Sequence, residues 1–186
     1  MKKRHFLGMA TLLPLWQALA REIPHQIWNK ARALRGIPMQ PGMERSSLYV
    51  FFDPNCPHCA TLWFMSMDGH PFHDLPSIWI PVAYLEKNSL DKSAAILRGG
   101  RKEDLQRNFS NHDRQQRLGG IPGVKPTLAE RSALSAAKTL WIELGAATPL
   151  LLYRTRQGSA KVFIGLSSES HMTALIRTMA LPDRVI

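Results

Sequence analysis

The chain of 186 residues is 45% apolar and 20% charged. These proportions are typical of a folded globular protein with one substantial core, and they exclude an intrinsically disordered chain. The net charge is +10, and +7 remains when the three basic residues at positions 2–4 are set aside. Such a charge suits acidic partners or anionic surfaces, but it does not indicate a fold.

The N-terminal residues have the three parts of a signal peptide. Positions 2–4 are basic, residues 6–15 are apolar, and Ala18-Leu19-Ala20 matches the A-x-A pattern of cleavage sites. We therefore predict a signal peptide over residues 1–20 and an exported mature chain that begins at Arg21. A retained membrane anchor is the alternative, but the apolar run is shorter than the roughly 20 residues that a spanning helix needs.

Hydrophobic periodicity and turn residues predict a series of elements downstream. They are a helix at 23–35, a strand at 48–52, a helix at 56–67, a strand at 78–85, a helix at 89–97, a polar loop region at 101–126, a helix at 128–144, a hairpin of 150–153 with 161–164, and a last helix from Ser167 or Ser168 to about 180. Two strand–helix segments thus frame a helical block. This order predicts an α/β sheet covered by helices.

The chain has only two cysteines, Cys56 and Cys59, and they are three positions apart. A structural disulfide stabilises a protein mainly by closing a long loop in the unfolded chain, which this spacing does not do. In an exported protein, such a pair is therefore better explained by redox chemistry than by structure.

The Cys-Pro-His-Cys motif falls where a predicted buried strand turns into a helix. At a helix N-terminus, the unpaired N–H groups and the helix dipole favour an anion, which lowers the pKa of a thiol. Pro57 suits the first helical turn, and His58 adds positive charge beside the thiolate. We therefore predict that Cys56 is the nucleophile, that Cys59 resolves the mixed disulfide, and that Pro57 and His58 tune the pKa of Cys56.

Two other interpretations of the cysteines stay open at this stage. The first is an inert buried pair. The second is a zinc site, because Cys56 and Cys59 with His70 and His73 have the spacing C-x2-C-x10-H-x2-H, which is close to that of a zinc finger. Against zinc, the residues between are those of a packing helix and the histidine gap is one residue short. Our prediction is that the protein binds no metal and needs no cofactor.

Three motifs resemble the DsbC/DsbG family of periplasmic disulfide isomerases, and its DsbG members most. They are the segment from Tyr49 to Cys59, the pair of segments 79–83 and 93–97, and the sequence Leu144-Gly145-Ala146-Ala147-Thr148-Pro149. The resemblance covers about residues 46–180. It implies a thioredoxin-like fold with a helical insertion, at about 88–145, between the two sheet-forming halves of a catalytic domain that spans residues 47–186.

The same resemblance implies the remaining features of the site. Pro149 is expected to be cis and to face the cysteine pair, and Thr148 is expected to bind the substrate through its backbone. The implied location is the periplasm. The implied partners are cysteine-containing exported proteins and a membrane redox partner that recycles the cysteine pair.

Two departures from the family affect the expected activity. Residues 21–46 are assigned to a short helix and linker, which is too little for the family's N-terminal dimerisation domain, so we expect a monomer with weak isomerase activity. The Pro-His dipeptide is that of the strong oxidant DsbA, whereas the Thr before Pro149 is that of the isomerases. The direction of electron flow is therefore open.

Several other functions stay open as alternatives. A thiol reductase or a sulfenic-acid rescue enzyme would use the same fold, as would a disulfide isomerase. A basic binding module would instead use clusters such as 98–102 and 114–117. Such clusters are usually solvated loop surfaces, and export removes most nucleic acid, so we predict no nucleic-acid partner.

Overall fold

A computed structural model describes residues 20–67, 69–70, 72–73, 75–166 and 168–180. The elements are β1 (Ala20–Ile23), α1 (His25–Arg32), β2 (Ile37–Pro38), β3 (Leu48–Phe52), α2 (Pro57–Phe64), β4 (Ile78–Pro81), α3 (Ser89–Gly99), α4 (Lys102–Ser110), α5 (Leu128–Leu144), β5 (Leu150–Arg154), β6 (Ala160–Ile164) and α6 (Glu169–Thr178). Apart from Ala20, the predicted signal peptide lies outside the described residues, as does Ser167. None of the described helices has the length and hydrophobicity that a membrane crossing requires.

Six strands form one mixed sheet in the order β1-β6-β5-β3-β4-β2. The neighbours β3 and β4 are parallel, and the other neighbours are antiparallel. Because β3 and β4 run in the same direction, their carboxyl ends meet at one edge of the sheet. This edge is where the chain enters the Cys-Pro-His-Cys segment.

Strand β3 is buried on both faces, as its continuous apolar run predicted. Leu48, Val50 and Phe52 belong to a core covered mainly by α2, α3, α4 and α6. Tyr49 and Phe51 belong to a second core under α1 and α5. The sheet is therefore covered by helices on both faces, in agreement with the predicted α/β class.

The helical block between β4 and β5 contains three helices. The predicted capping box is present, since the Thr127 hydroxyl accepts from the Glu130 N–H and the Glu130 carboxylate accepts from the Thr127 N–H. Helix α4 was predicted as loop, and this prediction was wrong. Its apolar residues are only Leu105 and Phe109, one turn apart and fully buried, which is too short a pattern to detect among polar neighbours.

Residues 20–46 contribute two strands that the sequence did not predict. Strand β1 pairs with β6, and the two residues of β2 pair with β4. Neither strand has the alternating apolar pattern that would reveal a strand in the sequence. Both pair with the sheet through their backbones at its two ends. This segment is therefore part of the same sheet as β3, the strand that leads into the cysteine motif.

Candidate active site

Helix α2 presents the cysteine pair at its N-terminus. Cys56 is the N-cap residue, and its sulfur accepts a hydrogen bond from the Cys59 N–H at 3.4 Å. Pro57 occupies the first helical position, where the absence of an N–H costs nothing. Both cysteines are free thiols and both are buried: Cys56 is 3% exposed and Cys59 is fully inaccessible.

The two thiols have opposite pKa shifts. The pKa of Cys56 is lowered to about 6, and the largest cause is a hydrogen bond from the Cys59 thiol. Burial opposes this shift, whereas the Thr148 side chain and the N–H groups of Cys59 and His58 lower the pKa further. Burial, and then the proximity of Cys56, raises the pKa of Cys59 well above its ordinary value. These shifts favour a thiolate at Cys56 and a protonated thiol at Cys59 that donates to it.

Pro57 and His58, the two residues between the cysteines, differ in exposure. Pro57 is partly buried, whereas His58 is exposed to solvent. The backbone N–H of His58 is among the groups that lower the pKa of Cys56. A contribution from the imidazole ring stays a prediction.

Thr148 and Pro149 lie opposite the cysteines at the start of β5. The Thr148 carbonyl oxygen is 3.6 Å from the sulfur of Cys56 and accepts from its S–H when that group is protonated. The Thr148–Pro149 peptide bond is cis. Two segments 92 residues apart in sequence thus meet at one sulfur atom.

The turn before Cys56 is held by a buried polar network. From the described residues, the carboxylate of Asp53 accepts four hydrogen bonds, from the N–H groups of Asn55, Tyr84 and Leu85 and from the Ser89 hydroxyl. All four distances are between 2.8 and 3.1 Å. Asp53 is fully buried, so these bonds compensate for the loss of its hydration.

Asn55 connects the same turn to more distant parts of the chain. Its amide group donates to Asn88 at 2.8 Å and to Ser89 at 2.9 Å, and its carbonyl oxygen accepts from the Gly119 N–H at 2.9 Å. The side chain is fully buried. We call residues 53–55 the turn side of the site.

The segment around Gly119 was predicted as the least structured part of a loop; it contains no helix or strand, but it packs tightly against the turn side. The ammonium group of Lys92 donates to the carbonyl oxygens of Gly119 and Ile121, each at 2.6 Å, and Asn108 donates to the carbonyl of Pro54 at 2.9 Å. A Cβ atom at position 119 would collide with Asn108 and Pro54, so glycine is required for this close approach. Gly119 therefore allows the loop to pack against the turn side.

Tyr84 is a member of the site that sequence reasoning missed. Its hydroxyl is 2.8 Å from Oγ1 of Thr148, and its ring lies against Trp141 with the ring centroids 4.5 Å apart. The only sequence signal for it is its position just after β4, since the carboxyl ends of β3 and β4 share one sheet edge. We call Tyr84, Thr148 and Pro149 the threonine side of the site.

The residues of the alternative zinc site do not form a cluster. Among the described residues, no group of three or more His, Cys, Asp or Glu side chains is close enough together to hold a metal ion. His70 instead faces Glu169, with 3.7 Å between the nearest nitrogen and oxygen atoms.

The basic clusters are exposed, but several of their members have partners within the protein. Arg98 pairs with Glu130 at 2.8 Å, and Arg101 lies 3.8 Å from the carboxylate of Asp104. Arg114 donates to the hydroxyl of Thr61. These contacts are typical of surface arginines that stabilise helices and loops.

Comparison with known proteins finds a relative in sequence and several similar solved structures. No protein-family model matches the chain. The chain is 27% identical over 150 residues to the thiol:disulfide interchange protein DsbG of Pseudomonas aeruginosa, a match that covers 78% of this chain and 56% of the relative. The chain thus spans little more than half the length of that relative.

Two of the similar structures show the shared fold at low sequence identity. A periplasmic thioredoxin-like protein from Salmonella enterica serovar Typhimurium has a TM-score of 0.59 and 16% identity, with 84% of this chain and 97% of that chain covered. The catalytic domain of Proteus mirabilis ScsC also has a TM-score of 0.59, with 18% identity and coverage of 87% and 96%. The chain is therefore similar in sequence to the thiol:disulfide interchange protein DsbG and has the fold of these thioredoxin-like proteins.

Proposed function

We propose that the protein is a periplasmic thiol–disulfide oxidoreductase that exchanges disulfides with cysteine-containing exported proteins. The observation that carries the proposal is the pair of opposite pKa shifts at the N-terminus of α2, with that of Cys56 lowered to about 6 and that of Cys59 raised. A structural pair has no need of one stabilised thiolate, whereas thiol–disulfide exchange requires it.

In the oxidising direction, a client thiolate attacks the sulfur of Cys56 in the Cys56–Cys59 disulfide. The S–S bond breaks, and Cys59 leaves as a thiolate that takes up a proton. A second client thiolate then attacks the client sulfur of the mixed disulfide, and Cys56 leaves as a thiolate. The client loses two electrons and the cysteine pair gains them, so an oxidant must reoxidise the pair, and we propose that a membrane redox partner does so.

The reducing direction runs through the same intermediate. Cys56 attacks a client disulfide, and Cys59, after losing its proton, attacks Cys56 to release the reduced client. The high pKa of Cys59 fits this role, because Cys59 stays protonated until it is needed. We propose that Thr148 and Pro149 bind the client strand beside the cysteines during either reaction.

The lowered pKa of Cys56 also suggests a moderate oxidising strength. A value of about 6 lies closer to the ~7 of thioredoxin than to the ~3.5 of DsbA, despite the Pro-His dipeptide shared with DsbA. This observation keeps thiol reduction, including sulfenic-acid rescue, as a second candidate function.

The test of the exchange activity uses two variants and a model peptide that contains one disulfide. Cys56→Ser should abolish exchange, and Cys59→Ala should accumulate a mixed disulfide with the peptide, which mass spectrometry detects. Full exchange by Cys56→Ser would show that the cysteine pair is incidental and would favour a binding module. The redox state of the pair in living cells would then distinguish an oxidase from a reductase.

We further propose that the protein acts as a monomer with weak isomerase activity. Residues 20–46 are part of the catalytic sheet through β1 and β2, so they do not stand apart as a dimerisation unit. Light scattering and the refolding of a scrambled multi-disulfide substrate test this proposal. A stable dimer that unscrambles the substrate efficiently would contradict it.

A further inference from the structure

A cavity of about 340 Å³ lies at the sheet edge opposite the cysteine pair. It opens beside the start of β3 and the end of β5, whereas the cysteine motif and the cis proline lie at the other ends of these two strands. Its lining includes three arginines, Arg32, Arg45 and Arg154. The cavity is therefore separate from the exchange site, and the proposed function does not use it.

The positive charge of this cavity is not balanced by carboxylates. The described residues that line it include no Asp or Glu. Within the part of the chain that the structure describes, none of the three arginines forms an ion pair with a carboxylate, whereas Arg98 pairs with Glu130 at 2.8 Å. Three guanidinium groups around one cavity repel one another, and an anion between them would relieve this repulsion.

Arg154 is held in place without being neutralised. Its guanidinium carbon is 5.2 Å from the ring centroid of Trp28, and one of its NH₂ nitrogens is 3.1 Å from Nε2 of His25. Because arginine can only donate, the imidazole nitrogen accepts, so this ring is neutral and supplies no negative charge. The Nε–H group of Arg154 is buried and has no acceptor among the described residues.

A second buried donor lies next to the cavity. Tyr49 on β3 is 1% exposed, and its hydroxyl has no hydrogen-bond partner of good geometry in the described structure. Burial raises the pKa of this hydroxyl, whereas the Ser46 backbone and the charges of Arg32 and Arg45 lower it, so the hydroxyl lies close to residues that line the cavity. Buried donors are rarely left unpaired, so two of them beside one basic cavity indicate a missing acceptor.

We propose that this cavity binds a phosphate monoester, with the guanidinium groups of Arg32, Arg45 and Arg154 as its partners. One guanidinium donates two parallel hydrogen bonds to an anion. A phosphate monoester offers three acceptor oxygens and a charge of about −1.5 to −2 at pH 7, whereas a carboxylate offers two oxygens and a single charge. Three arginines therefore match the phosphate group better. Soluble phosphate esters and lipids with a phosphate monoester headgroup share this chemistry.

The test is calorimetric titration of the protein with glycerol 3-phosphate at constant ionic strength. The double variant Arg32→Gln/Arg45→Gln should bind this probe at least about tenfold more weakly than the unmodified protein, since charge-assisted hydrogen bonds are lost. The matched control is Arg107→Gln/Arg131→Gln, which removes two exposed arginines of α4 and α5 and the same net charge. Its affinity should change by less than about twofold, because distant exposed charges are screened.

Vesicles distinguish the two sources of the phosphate group. For a lipid headgroup, the control variant should sediment with phosphatidylcholine vesicles that contain phosphatidic acid, and the Arg32→Gln/Arg45→Gln variant should not. For a soluble ester, only the glycerol 3-phosphate titration should depend on these arginines. Equal losses in both double variants, or no binding of either probe, would overturn the proposal. Both variants should keep full disulfide exchange, so a failure here is distinguishable from a failure of the proposed function.

Discussion

The two sides of the site are built differently. On the turn side, Asp53 and Asn55 are fully buried, and hydrogen bonds from several parts of the chain satisfy their side chains. On the threonine side, Thr148 is 8% exposed and Tyr84 is 37% exposed, and one hydrogen bond joins their side chains. The comparison indicates that the turn side fixes the position of Cys56, and we propose that the threonine side adjusts the reactivity of Cys56 and faces the client.

The largest effect on stability should come from the turn side. Asp53→Asn replaces one carboxylate oxygen by an NH₂ group, which leaves about two buried donors without an acceptor. We expect the free energy of unfolding to fall by about 3 kcal/mol, as measured by urea denaturation. The matched control is Asp113→Asn, because Asp113 also accepts two backbone N–H groups but is exposed. Equal losses in the two variants would contradict the special role of the turn side.

The next effect is a pH dependence of the reduced protein's stability. Folding lowers the pKa of Cys56 from 9.0 to about 6, so ionisation of this thiol stabilises the folded state. The stabilisation is complete above the pKa of the unfolded chain, and it is lost as the pH falls through 6. The free energy of unfolding should therefore rise by about 2 kcal/mol between pH 6 and pH 8 relative to Cys56→Ser. The oxidised protein has no thiolate and should lack this rise. An identical rise in reduced and oxidised protein would show that another group causes it.

A smaller effect should come from the threonine side, and it should appear in reactivity rather than in stability. Thr148→Val removes the hydroxyl that lowers the pKa of Cys56 and keeps the backbone carbonyl. The pKa of Cys56 should rise by about 0.5–1, since one hydrogen bond to a charged group is lost. The free energy of unfolding should change by less than about 0.5 kcal/mol, because water can replace Thr148 as a partner of the partly exposed Tyr84. A large loss of stability would remove the contrast between the two sides.

The smallest effect should come from the imidazole of His58. The side chain is exposed, and solvent and salt screen its charge, so His58→Gln should raise the pKa of Cys56 by less than about 0.5. The backbone N–H of residue 58, which lowers the pKa of Cys56, is kept in this variant. A shift greater than that of Thr148→Val would mean that the imidazole, and not the threonine side, dominates the tuning.

The sequence predicted the parts of the fold that are encoded locally. The apolar run of β3, the capping box of α5 and the hairpin of β5 and β6 each depend on neighbouring residues, and each was predicted correctly. Strands β1 and β2 depend on distant pairing partners, and α4 on only two buried residues, so all three were missed. The loop at 119–121 was predicted, but its packing against Lys92 was not, because the two are far apart in sequence.

The residues of the site divide in the same way, into those that a local motif predicts and those that only the fold brings together. A Cys-Pro-His-Cys motif after a buried strand is visible in the sequence, and so is its position at a helix N-terminus. The proximity of Thr148 and Pro149 followed only from the resemblance to a family, because nothing local joins them to Cys56. Tyr84 and the network around Asp53 could not be predicted, since their contacts exist only once β3, β4 and β5 are side by side.

The central claim, that Cys56 is a stabilised thiolate and Cys59 a protonated partner, has one direct test. The reduced protein is treated with iodoacetamide between pH 4 and pH 9, and mass spectrometry identifies which cysteine is modified at each pH. The account predicts that Cys56 is alkylated first, with an apparent pKa of about 6, and that Cys59 remains unmodified over the same time. Equal rates at the two cysteines, or a pKa of Cys56 near the free value of about 8.5, would contradict it.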